Sequence, residues 1–321
     1  HWMVHSFPTR RSSDLQPQPS GSSPDGDERY VDWALRHPED FEATRQLALR
    51  WRRSHPSTES LVAALERRAG AGSAPGALEL VLGHLEREAG RIERASELYE
   101  RASKTEAASA LPHFALSELA QERGDSATAL SETERALSLS SGAQRARALR
   151  VLRRLATSAG ELVGAQKWHE QLVRLEGGGY AVDAEWLPEL DAHHDLDRAL
   201  AYSTSLLERH PQAAESGTLR LQRARWLRSL GRPEDALLEL EAALKRVGGQ
   251  RGKRREVLEE QLAAARDAGR LEALAAQWQT SRDVLELSVA ARALTELGRL
   301  AEARDTLARW VAAARSEEHT S

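Results

Sequence analysis

The 321 residues include no cysteine and no asparagine, and aromatic side chains make up only 5% of them. Without cysteine the chain forms neither disulfides nor thiolate metal sites. No apolar run approaches the roughly 20 residues that a membrane-crossing helix needs, so no membrane-spanning segment is expected. A dominant charge is lacking too, because 45 basic and 49 acidic residues leave a net charge of -4. A chain so balanced has no global basic field to draw in nucleic acid, and no nucleic-acid partner is expected.

What is abundant is alanine and leucine, within a hydrophobic share of 40% that suffices for a packed core. That balance suits closely packed helices, since strands favour β-branched and aromatic residues, and nothing alternates with period two over a useful length. An all-α chain is expected. The wealth of Ala, Arg, Gly and Leu, together with the scarcity of Lys, points to a GC-rich bacterial genome.

The two ends differ from the rest. Ser6 to Leu15 (SFPTRRSSDL) and Arg315 to Ser321 (RSEEHTS) match in-frame translations of a pair of short-read sequencing adapters, in the expected order. Residues 1–15 and 315–321 are therefore expected to be adapter-derived tails and not native sequence, the chain between them being a fragment. Residues 16–27, QPQPSGSSPDGD, have no apolar periodicity and are expected to form a flexible linker. What lies beyond it stays open: a signal peptide, an anchor or a further domain.

From Glu28 onward a helical period takes over, with N-terminal helices and a divergent first repeat over 28–75 and about seven repeats over 76–314. GRIERASELYERA from Gly90 and GDSATALSETERA from Gly124 carry Gly, Ala and Ala at the same places, each 34 residues apart. The turn position recurs at Gly90, Gly124, Gly160, His194, Gly231, Gly269 and Gly298, so successive intervals are 34, 36, 34, 37, 38 and 29. Glycine there tolerates the left-handed backbone that ends a helix, and the alanines let paired helices approach closely. Each helix pair leaves an apolar face uncovered, and stacking buries it.

With Leu82, Gly83, Gly90, Ala95, Tyr99 and Ala102 in one unit and Pro211 in another, the sequence resembles the tetratricopeptide repeat family. The resemblance implies a right-handed superhelical solenoid of helix-turn-helix repeats whose concave groove binds a protein or peptide. The family's Trp position is unfilled in most units, Pro188 falls inside an expected first helix, and His194 replaces the turn Gly. The absence of Asn disfavours the family's carboxylate-clamp role toward chaperones.

Within that frame the helix from Gln144 sets Arg147, Arg150 and Arg154 on one face, which the resemblance turns toward the groove. Phe114 and Leu80 are their expected apolar neighbours, and His84 and Glu118 also fall at first-helix positions. Two readings of this face stand side by side: neutralisation by carboxylates of adjacent helices such as Glu118 and Glu122, or recognition of an acidic peptide through bidentate Arg contacts. The run RGKRR, Arg251 to Arg255, is expected in a solvated inter-repeat loop. His37, His55, His169 and His210 are expected to close helix ends. His193 and His194, with Asp191, Asp195 and Asp197, lack the i, i+4 spacing of a zinc site and are expected to form a surface turn.

No nucleophile elbow or phosphate loop is present, so neither cofactor, metal nor catalysis is expected. The expected function is a non-enzymatic scaffold for a protein or peptide, an acidic one in the case of the Arg face. The alternative is a regulatory or targeting arm of a larger kinase, transferase or transcription regulator. Self-association through an apolar C-terminal face containing Trp310 is a further expectation. Cytoplasm and periplasm remain open.

Overall fold

The computed structural model describes residues 24–55, 58–69 and 76–318, and among them every regular element is an α-helix. The chain divides into two units, residues 1–176 and 177–321. The first unit contains α1 (Pro24–Arg36), α2 (Phe41–Ser54), α3 (Thr58–Arg68), α4 (Ala77–Glu88), α5 (Ile92–Thr105), α6 (Leu111–Glu122), α7 (Ser126–Leu139), α8 (Gly142–Ser158) and α9 (Leu162–Leu175). The second contains α10 (Tyr180–Ala184), α11 (Leu187–Ala192), α12 (Leu196–Arg209), α13 (Ser216–Ser229), α14 (Pro233–Val247), α15 (Arg251–Asp267), α16 (Leu271–Trp278), α17 (Val284–Glu296) and α18 (Leu300–Glu318).

Each unit is a stack of antiparallel helix pairs, α4 with α5, α6 with α7 and α8 with α9 in the first, and α11 with α12 through α17 with α18 in the second. This is the helical solenoid arrangement of tetratricopeptide-like repeats. The turn inside every pair has one geometry. Its central residue takes a positive φ, from 57° at His194 to 77° at Gly160, and the next N–H donates to the carbonyl five residues back, as from Arg91 to Glu86 at 2.9 Å and from Asp195 to Leu190 at 3.1 Å. That closure satisfies a carbonyl orphaned at the helix end. His194 is the one non-glycine residue with positive φ among the described residues.

Inside a pair, small residues set the spacing. Ala95, Ala129, Ala165, Ala199 and Ala236 hold the same place in successive second helices, and each is fully buried. At Gly83 a Cβ would come within 2.4 Å of the ring of Tyr99, which is itself 0% exposed, so glycine is what lets α4 and α5 meet. The first core layer is assembled from α1 to α4, with Leu35, Leu47, Trp51, Leu61, Leu65 and Val81 in contact. Trp51 donates its indole N–H to Ser60 at 2.8 Å and carries the ring of His55 stacked at 4.0 Å.

Several expectations need correction. The helix α1 begins at Pro24, so the last four residues of the stretch expected as linker lie in its first turn, where proline's missing N–H costs nothing. Helix α18 runs through Glu318, which leaves the expected origin of residues 315–321 untouched, and residues 1–23 and 319–321 lie outside the described residues. Pro188 does not interrupt a helix, because the first helix of that pair is split and Pro188 sits in the first turn of α11. Arg251 to Arg255 form the first turn of α15 and not a loop. His169 closes no helix end: it is 1% exposed within α9, its Nδ1 3.0 Å from Arg153. On α18, Leu300, Leu307 and Val311 are 66%, 45% and 39% exposed, and Trp310 is half-buried.

Two substitutions test this packing. Gly83→Ala should destabilise by about 1–3 kcal/mol through collision with Tyr99, seen as a lower urea midpoint. His194→Gly should hold or raise the midpoint, whereas His194→Val should lower it by about 1–2 kcal/mol, because a β-branched residue resists the left-handed conformation.

Candidate functional site

In the second unit first helices pack on one another, α13 on α15 and α15 on α17, and in the first unit α2 packs on α4. Their outer surface brings together charged side chains about one repeat apart. Arg87 on α4 reaches Glu118 at 3.0 Å and, 35 residues on, Glu122 at 3.0 Å, both on α6, with its guanidinium 4.4 Å above the ring of Phe41. Against the desolvation that burial imposes, the hydrogen bonds it donates to Glu122 and Glu118 hold its pKa above the ordinary value. From the other side Arg147 on α8 donates to Glu118 at 2.6 Å and lies 4.6 Å over the ring of Phe114.

Arg150 donates to both carboxylate oxygens of Glu176 at 2.8 Å. Arg154, one turn further along α8, is exposed and has no hydrogen-bond or ion-pair partner among the described residues. The second unit repeats the device: Arg225 lies 3.4 Å from Glu260, Arg228 2.8 Å from Asp267, and Arg266 2.6 Å from Glu296. On the Arg face, neutralisation therefore accounts for Arg147 and Arg150, which are engaged by carboxylates of the chain, and not for Arg154.

Not every expected residue belongs to this surface. Leu80, 2% exposed, lies in the core with Tyr99, Ala115 and Leu119, because the period that makes it a first-helix residue also turns it inward. His84, 4% exposed, is likewise internal: its Nδ1 accepts from the Tyr99 hydroxyl at 2.8 Å and its Nε2 donates to the Pro38 carbonyl at 2.9 Å. Phe114 is 4% exposed and its open ring face is taken by Arg147. Of the expected residues, Arg147, Arg150, Arg154 and Glu118 lie at the surface. Arg87, which organises them, went unrecognised in the sequence; its separation from Glu122 by almost one repeat was the available signal.

The opposite side carries clefts between successive second helices, about 340 Å³ between α5 and α7 and about 530 Å³ between α12 and α14. Each has a nitrogen-bearing side chain on the first helix hydrogen-bonded to Glu on the second at matching register, His113 with Glu132 at 2.7 Å and Arg220 with Glu239 at 2.8 Å. The His193–Asp197 region is used structurally. Asp191 accepts the indole N–H of Trp226 at 2.6 Å, and Asp195 caps α12 through the Arg198 N–H at 3.2 Å. His210 closes α12, with Nε2 2.6 Å from the buried carboxylate of Asp183.

No protein-family model matches the sequence, and no curated protein matches it. Among solved structures, the C-terminal part of a TPR repeat-containing protein from Cytophaga hutchinsonii superposes with a TM-score of 0.49 at 15% identity, covering 87% of this chain and 99% of that one. A structure of Naa15/Naa10 bound to HypK superposes at 0.48 and 15% identity, covering 90% of this chain; this chain spans 39% of that one. YrrB, described as a TPR protein with an unusual peptide-binding site, gives 0.36 at 16% identity, covering 57% of this chain and 89% of that one.

The buried His84 makes stability depend on pH. Desolvation holds its pKa down to about 4 from 6.5, so the folded protein keeps it neutral where the unfolded chain binds a proton. Stability from this group is complete above pH 6.5 and is lost toward pH 4, with a slope of about 1.4 kcal/mol per pH unit. Urea titrations across that range should show a steeper pH dependence for the wild type than for His84→Gln.

Proposed function

We propose that the helical array is a non-enzymatic scaffold that holds a protein or peptide segment along the face of its first helices, with Arg147, Arg150 and Arg154 meeting acidic groups of that partner. The row of these three arginines on one face of α8, bonded to carboxylates of other segments or to none, is the observation that carries this reading. The side chains of Arg147 and Arg150 are 43% and 37% exposed, and ion pairs so open to water contribute at most about 1 kcal/mol each. A partner's carboxylate can therefore replace Glu118 or Glu176 at little cost, and Arg offers it a planar, bidentate fork. Stacked repeats present such groups at regular intervals to an extended segment.

Arg154→Glu is the cleanest test, since it disturbs no contact. Peptides selected from a displayed library on the full chain should bind this variant about tenfold more weakly, with stability within about 0.5 kcal/mol of wild type. Equal affinity for both proteins would remove the arginine face from the proposal. Arg147→Glu and Arg150→Glu should instead lower stability modestly as well, because each sets a carboxylate against Glu118 or Glu176.

A further inference from the structure

One segment of the second unit concentrates basic charge. Between Lys245 and Arg255, KRVGGQRGKRR, six of eleven residues are basic and none is acidic, in a chain whose net charge is -4. Two of the four lysines of the whole sequence lie here. The segment ends α14, turns through Gly248 and Gly249, and begins α15. Both glycines have open space where a side chain would stand, so nothing roofs the turn.

Only part of this charge is used by the fold. Arg254 is tied to Glu286 and lies 3.4 Å from Asp283, both across the boundary with α17. Lys245, Lys253 and Arg255 are exposed and have no carboxylate partner among the described residues. Arg246, also exposed, reaches the amide oxygen of Gln212 at 3.4 Å, and Arg282 stands exposed in the adjoining turn before α17. Glu256, the nearest acid in sequence, is directed toward Arg225 at 3.9 Å.

The placement also works against helix stability. Helix α14 follows the favourable rule, with Glu234 and Asp235 in its first turn and Lys245 and Arg246 in its last. Helix α15 reverses it: its first turn contains no acid and carries Arg251, Lys253 and Arg254 next to the positive end of the helix dipole. Each such cation costs on the order of 0.3–1 kcal/mol. Lys253 and Arg255, with no carboxylate partner among the described residues and no gain from the dipole of α15, are placed to act on something outside the fold.

We propose that this edge, centred on Lys245, Arg246, Lys253 and Arg255, receives an acidic peptide segment of a partner protein, a run of Asp and Glu carboxylates. The inference rests on the scaffold reading but names a different surface from the α8 arginines. A nucleic acid fits less well, because the segment offers no aromatic ring on which a base could stack. A lipid surface fits less well too, since Val247, the segment's one large apolar residue, is 3% exposed and cannot insert.

The test is fluorescence anisotropy of the full chain with a fluorescein-labelled oligoglutamate peptide, an oligothymidylate of equal length, and phosphatidylserine vesicles as competitor. Oligoglutamate should bind, more tightly at low salt, and the K245E/K253E/R255E variant should lose at least about tenfold in affinity, while R304E, a reversal at an exposed arginine outside both surfaces, binds as the wild type does. The K245Q/K253Q/R255Q variant should fall between, and circular dichroism should show both variants folded with wild-type helix content at the assay temperature, so that the change in affinity reports the removed charge. Unchanged affinity in the charge-reversed variant overturns the inference, as does tighter binding of oligothymidylate or displacement of the peptide by vesicles. Loss of binding in R154E but not in K245E/K253E/R255E overturns it and leaves the scaffold reading standing on the arginine face. If the wild type ignores oligoglutamate altogether, the inference fails alone, and the library selection decides the scaffold reading.

Discussion

The whole architecture depends on one backbone event repeated along the chain: a single residue per helix pair that turns left-handed, so that the next N–H can reach back to the carbonyl five residues earlier. That bond ends the first helix and aims the second back along it. Only then can the buried alanines at matching places face the first helix, and only then does an apolar face remain for the next pair to cover. His194 shows how strict the demand is, because the conformation is kept even where the glycine is not.

Most of this was legible in the sequence because glycine and alanine have few reasons to recur at fixed intervals. Gly90, Gly124 and Ala95, Ala129 are small for steric reasons, and sterics repeat with the period of the structure. The split first helix before α12 was less legible: Pro188 signals a helix start as readily as a break, and only the burial of Trp186 and Leu190 between α10 and α12 decides between them. The ends of α1 and α18 escaped a compositional reading because residues such as Pro24 or Glu317 are compatible with both tails and first or last helical turns.

The candidate site was legible to a lesser degree, and the reason is angular. A helical repeat says which positions share a face but not where the boundary between inward and outward falls. Leu80, His84 and Phe114 sit within one residue's rotation of the exposed arginines, and each is enclosed. Charge pairing between helices was harder still, since Arg87 finds Glu122 across an entire repeat. The basic stretch at Lys245–Arg255 was visible as composition, whereas its lack of carboxylate partners is a property of the packed neighbourhood.

Glu118 has a consequence for how the first unit comes apart. In a linear array each pair ordinarily senses only its two neighbours, and loss of one end is invisible two steps away. Here a single carboxylate on α6 is held at once by Arg87 of α4 and Arg147 of α8, so helices that are not adjacent share a ligand. Opening α8 releases one lobe of Glu118 and loosens its hold on α4. Opening at α8 is thereby felt at α4, a coupling that reaches over three pairs and that two partly exposed ion pairs limit to about 1 kcal/mol.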